Sequence, residues 1–303
     1  MSRAAVIALF GPTGVGKTEV AIALADGLRE LGERPLAISA DALQVYDELQ
    51  ILTGAATAQQ RARLEHRLIG FVPISETFSA GRYAQLAHAE IDAALADGRR
   101  PIVVGGTGLY LRAALTELEL RPAPDPVVRE RWSSRMRALG PDALHAELAR
   151  RAPWAAAAIA SGDRQRIVRA LELDEMGELR ERGGDNELWT ASTRVPTLLA
   201  GLVMDRAALY RRIDARVEEM VAAGAREEVI AAASGASLTA RGALGFEQLL
   251  AGDIEGMKRR TRNYARRQLT WMRKLPRVAV IDVTGREPAD VAAELLDRWR
   301  GTG

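Results

Sequence analysis

"LFGPTGVGKTEV", residues 9–20, carries the pattern G-x-x-x-x-G-K-[ST] from Gly11 to Thr18. Ala4 to Phe10 ahead of it is an apolar run of strand character, and Lys17 to Leu31 behind it places apolar residues at helical spacing. Strand, glycine loop and helix, in that order, are the context in which this pattern holds phosphate. Gly11, Gly14 and Gly16 let the backbone turn its N–H groups inward, and Pro12, Thr13 and Val15 complete the loop. Lys17 adds a positive charge, the Thr18 hydroxyl can ligate Mg2+, and the helix dipole adds to the field. Lys17, Lys258 and Lys274 are the only lysines in a chain that otherwise takes its positive charge from arginine. A compact ammonium can curl over such a loop where a planar guanidinium does not fit.

Working outward, Pro35 to Ala40 reads as a second strand ending at Asp41, and Arg100 to Val104 as a third ending in Gly105-Gly106-Thr107-Gly108. Pro196 to Met204 and Arg277 to Val283 read as two more. Strands alternating with helices predict an α/β fold: a P-loop NTPase-like parallel sheet flanked by helices. After Leu120 the composition changes. "RPAPDP" is a proline-punctuated linker, Val127 to about Met176 reads as helical, and "MGELRERGGDNE" closes the segment. An inserted all-helical domain over residues 121–194 therefore interrupts a core made of 1–120 and 195–303. Asp205 to Leu275 is helical with breaks at Gly224, Gly235 and Gly252, and a last helix follows the final strand. In such sheets ligands bind at the carboxyl ends of strands, where the glycine loop, Asp41 and Thr107 all fall.

The composition narrows the chemistry. A chain of 303 residues without cysteine forms neither disulfides nor thiolate metal sites, and His66, His88 and His145 lack metal-ligand spacing and read as packing or surface residues. That leaves hard cations held by oxygen and phosphate, with Mg2+ the expected one. The formal net charge of +2 announces no nucleic-acid partner by itself. No leader pattern and no apolar run long enough to cross a bilayer is visible, so a cytoplasmic monomer without membrane association is expected.

An ATPase or GTPase of this fold holds its metal with an acid at the end of another core strand, where this chain has "IVVGGTG". Asp41 is the carboxylate best placed to approach the phosphate, as a metal-linked ligand or a base; the alternative is a helix N-cap. Thr107 can offer its hydroxyl to a phosphate oxygen or to the acceptor nucleophile, or can simply cap a helix after a glycine turn. In "MKRRTRNYARRQLTWMRK", Met257 to Lys274, Arg259, Arg262 and Arg266 recur at three and four residues with almost no acid among them. Such a helix face suits pyrophosphate or an RNA backbone, or is a solvated surface. In "DRQRIVRALE", Asp163 to Glu172, Arg166 and Arg169 can face a polyanion while Ile167, Ala170 and Leu171 point to the core.

Together these segments resemble one family, the tRNA dimethylallyltransferases, also called tRNA isopentenyltransferases. "GPTGVGKT", "SADALQVY", "HRLIG", "PIVVGGTGLY", "DPVVRERW", "DRQRIVRALE", "MDRAALYRRIDARVEEMVAAGAREEV", "ALGFEQLL" and "RRTRNYARRQLTWMR" follow in family order through nearly the whole chain. The resemblance implies that the loop Gly11 to Thr18 holds the diphosphate of dimethylallyl diphosphate and that ATP is not consumed. It implies a tRNA acceptor, prenylated at N6 of the adenosine 3-prime of the anticodon. By motif position Asp41 resembles the family's general base, Thr107 its companion near base and diphosphate, and Thr18 the Mg2+ ligand. Asp41, Ala42, Leu43, Gln44, Thr107, Arg129, Gln165, Arg166, Ile167, Val168 and Arg169 match places where family members contact tRNA. The insertion resembles the part that grips the anticodon stem.

One stretch departs from the family pattern. Where many members read roughly "YRGMDIGTAKP", this chain has "YDELQILTGAA", with Asp47 and Glu48 after Tyr46 and Ala55 at the usual lysine. Facing a phosphate, both acids would repel it. Two other enzymes fit the loop: a small-molecule kinase, which leaves the insertion and the arginine-rich helix unexplained, and an adenylate isopentenyltransferase acting on free nucleotide, against which the insertion argues. A non-catalytic RNA-binding module has no use for the full loop with Asp41.

Overall fold

The computed structural model describes residues 4–123, 125–181 and 187–302. Among these, one parallel sheet is built from β1 (Val6–Phe10), β2 (Pro35–Ser39), β3 (His66–Arg67), β4 (Arg100–Gly105), β5 (Thr197–Val203) and β6 (Ala279–Asp282). Their order is β3-β2-β4-β1-β5-β6. Every residue of β1 is buried, as a strand flanked on both edges and covered on both faces requires. The helix Lys17–Glu30 buries Val20, Ala21, Leu24, Ala25 and Leu28, and the helix Pro288–Arg300 adds Val291, Leu295 and Trp299 to the same core.

The register explains why the site lies where it does. Phe10 pairs with Gly105 on one side and Gly201 on the other, and Ser39 pairs with Val104. The glycine loop, the Asp41 segment and the Gly105–Thr107 turn therefore leave the sheet side by side at its carboxyl edge. Strand β3 was not expected. Its two residues are too few to show alternation, and they exist as a strand only through pairing with Ala37 and Ile38.

Residues Glu119–Asn186 form a compact unit of their own. Inside it the helix Pro126–Arg151 is broken at Gly140, whose φ of 78° precedes Pro141, and Pro153–Ala158 and Arg164–Glu175 complete the described helices. Trp132, Met136, Leu144, Leu148, Ile167 and Leu171 make its core. The expected end at 194 differs from the observed one. Residues 187–194 belong to the sheet-bearing unit, where the Arg194 N–H donates to the Leu115 carbonyl at 2.8 Å and its guanidinium pairs with Asp92 and Glu117. Such a tether is long-range and leaves no local pattern. The glycine-rich positions 182–186 and the linker position 124 lie outside the described residues.

Candidate active site

Gly16, at φ 97°, ends the glycine loop in a left-handed turn that only glycine adopts freely, and the helix Lys17–Glu30 starts immediately after it. Lys17 folds back over the loop, donating from Nζ to the carbonyls of Gly11 and Pro12 at 3.0 Å each. Burial pushes its ammonium down to about 8, against the opposing pull of Asp41. Thr13, Gly14, Gly16, Lys17 and Thr18 line a cavity, whereas Gly11, Pro12 and Val15 do not.

Asp41 lines the same cavity. Its Oδ1 accepts the Leu43 N–H at 3.0 Å, an Asx turn, and no helix follows it, which removes the N-cap alternative. Its carboxylate acts electrostatically on Lys17, Arg216, Tyr83, Tyr110 and Tyr264, which places it amid the site's ionisable groups. Behind it, Tyr83 donates to the Ser39 carbonyl at 2.9 Å and Ser39 donates to Gln44 Oε1 at 3.0 Å. Leu43 and Gln44 line the cavity; Ala42 does not.

The atypical 47–56 loop keeps its acids out of the cavity. Asp47 and Glu48 are exposed, Asp47 accepting from the Gln50 amide and Glu48 from the Ile74 N–H. Thr53 and Gly54 form the wall, and Arg216 from the helix Arg206–Ala222 donates to the Gly54 carbonyl at 3.2 Å. Burial holds the Arg216 guanidinium below the usual arginine range, with Glu19 and Asp41 opposing. Arg216 was missed in the sequence; one cue, Arg212 and Arg216 four apart on a helix, is common on solvated faces. His66 lines the same cavity, with Nδ1 2.6 Å from the Leu64 carbonyl and its pKa lowered by burial. His88 and His145 do make packing bonds, to the Ala113 carbonyl and to those of Ala156 and Ile159.

The arginine-rich helix, Ile254–Met272, turns uncharged groups inward. Thr261, Tyr264 and Gln268 line the cavity, while Arg262 donates to both carboxylate oxygens of Asp214 and Lys258 pairs with Glu218 and Glu255. The long helix Arg206–Ala222 thus supplies Asp214 and Glu218 as partners for Arg262 and Lys258. Thr107 sits at the N-cap position of Gly108–Leu115 but makes no capping bond; its Oγ1 lies 3.1 Å from Tyr264 Oη. Burial and the Asp41 charge push the Tyr264 phenol up to about 12, so it stays protonated.

In the helical unit Arg129 and Arg169 both pair with Glu172, which is fully buried, at 3.0 and 3.2 Å. Arg166 is exposed beside Asp163, and Gln165 is exposed as well. Val168 is half-buried. The Ile167 side chain is wholly inside the helical core, where its apolar face puts it. No cluster of three or more metal-binding side chains occurs among the described residues. The oxygen donors at the loop, Thr18 with Asp41 nearby, fit a cation that takes most of its ligands from diphosphate and water, as Mg2+ does.

Fold and site define an α/β protein of the glycine-loop class, with a helical unit inserted in the sequence of its sheet-bearing unit. The chain belongs to the IPP transferase family, whose model matches residues 44–275. It is 40% identical to the tRNA dimethylallyltransferase of Kineococcus radiotolerans, covering 96% of this chain and 95% of that one. It is 42% identical to the same-named protein of Rhodospirillum centenum, covering 88% of each. Among solved structures, the full-length tRNA isopentenylpyrophosphate transferase of Bacillus halodurans superposes with a TM-score of 0.69 at 30% identity, over 98% of this chain and 97% of that one.

Proposed function

We propose that this chain transfers a dimethylallyl group from dimethylallyl diphosphate to N6 of the adenosine 3-prime of the anticodon in tRNA, releasing diphosphate, and that it works as a monomer in the cytoplasm. One observation carries the reading: Lys17, Thr18 and Asp41 share a cavity, and the neighbouring strand ends in Gly105-Gly106-Thr107 where a triphosphatase keeps its acid. The activity named for the relatives supports the same conclusion. No helix among the described residues is long and apolar enough to cross a membrane.

The exocyclic amine of adenine is a weak nucleophile because its lone pair is delocalised into the ring. Transfer therefore needs a stabilised leaving group and a place for the proton. The new C–N bond forms at the allylic carbon as its C–O bond to the diphosphate breaks, and the N6 proton passes to the Asp41 carboxylate. Lys17, the loop N–H groups and Arg216 hold the charge that grows on the departing diphosphate, and such preorganised charge is typically the largest catalytic contribution. Thr18 would hold Mg2+, which would neutralise part of that charge. The adenine must leave its stack, which costs little in a single-stranded loop.

The test is direct. Incubation with Mg2+, unmodified tRNA and either dimethylallyl diphosphate or ATP is expected to give prenylated adenosine from the first donor alone. Release of ADP with no prenylated base would identify a kinase and overturn the reading.

A further inference from the structure

Gln268 is 4% exposed, and its amide makes two bonds that join distant parts of the chain. Oε1 accepts the N–H of Thr13, in the glycine loop, at 2.8 Å; Nε2 donates to the carbonyl of Gly106, beside Thr107, at 2.8 Å. The fit leaves no slack, since a Cβ at position 106 would collide with Nε2. One planar amide thus spans the gap between the loop that holds phosphate and the turn that carries Thr107. Tyr264, one turn earlier on the same face, holds the Thr107 hydroxyl.

A buried amide is costly unless its bonds are made, and an apolar side chain would fill the same space without that risk. The bridge therefore calls for a use beyond packing. We propose that Gln268 is a positioning residue for group transfer: it fixes the separation between donor loop and acceptor-side turn, and hence the approach of the nucleophilic nitrogen to the allylic carbon. This rests on the prenyl-transfer reading above. Lys17 keeps its own bonds to Gly11 and Pro12, so the loop retains its shape when the bridge is lost. Binding and chemistry then separate.

The experiment uses the full chain and the variants Gln268→Met and Gln268→Glu. Gln268→Met, similar in length but unable to bridge, is expected to lower kcat about 100-fold, the scale of an ångström's misplacement. Its Kd values for inorganic pyrophosphate and for tRNA should stay within about threefold of wild type. Gln268→Glu can rebuild the bridge only when its carboxyl is protonated, the C=O accepting from Thr13 and the O–H donating to Gly106. Its kcat, divided by that of wild type at each pH, is expected to recover as pH falls, or to stay near wild type throughout if the carboxyl remains neutral; the Gln268→Met ratio stays flat. Gln268→Met within threefold of wild type overturns the proposal, as does Gln268→Glu fixed at the Gln268→Met level at every pH. If Gln268→Met does not fold, Gln268→Glu carries the test alone. A wild-type chain that transfers no prenyl group would instead indict the functional reading.

Discussion

Thr107 Oγ1 and Tyr264 Oη lie 3.1 Å apart, so the hydroxyl of the second glycine turn is held by a phenol from the helix Ile254–Met272. Tyr264→Phe removes that partner, and with it the phenol's interaction with the Gln268 side chain. A net hydrogen bond of about 1 kcal/mol corresponds to a loss of about fivefold in kcat at saturating substrates. Thr107→Ala combined with Tyr264→Phe should lose less than the product of the two single losses, because both changes break the same hydroxyl–hydroxyl bond. Single-turnover transfer rates of the three variants check this; fully multiplicative losses would show that the two hydroxyls act independently.

Asp41 accepts the Leu43 N–H and also faces the cavity, so one substitution can disturb both turn and chemistry. Asp41→Asn keeps an acceptor for Leu43 but not a base, whereas Asp41→Ala removes both. Each is expected to lower kcat by about a hundredfold to ten-thousandfold, with tRNA binding largely retained. Near-normal turnover of Asp41→Asn would remove the base assignment.

The lowered pKa of Lys17, about 8, has a definite sign. In the free protein the charged form is disfavoured, so stability from this residue is present above the unfolded pKa and is lost as pH falls through 8. A bound anion favours the charged form and pulls the pKa back up. Pyrophosphate binding at pH 9 should therefore take up a proton, read by calorimetry in buffers of different ionisation enthalpy. Lys17→Met should bind more weakly and lose that contribution to the uptake. Equal proton uptake by both proteins would contradict the role given to the ammonium.

Arg166 is exposed, while Arg169 is steered by buried Glu172. If both meet RNA phosphates, replacing the two by Ala should weaken tRNA binding and reduce the magnitude of its salt slope by about 0.7–0.9 per contact. Measuring Kd across a range of salt concentrations tests this. A weaker affinity with an unchanged slope would mean that the arginines act by packing and not by charge.

The sequence by itself determined the local features. The apolar run at Val6–Phe10, the glycine loop, the strand ends at Asp41 and Gly105, and the change of pattern near residue 121 are all set by neighbours a few residues apart, and local periodicity reports such neighbours. Tertiary structure decided the rest. The two-residue strand His66–Arg67 exists only by pairing, residues 187–194 belong to the sheet-bearing unit, and that His66 of "HRLIG" and Arg216 of the long helical segment reach the cavity is not legible in their spacing. The helix Met257 to Lys274 was legible as basic. That Asp214 and Glu218 pair with its Arg262 and Lys258, and that its uncharged Tyr264 and Gln268 face the site, was not. Charge and hydrogen-bond partners separated by tens or hundreds of residues leave no trace in local spacing, because only the folded sheet brings them within reach.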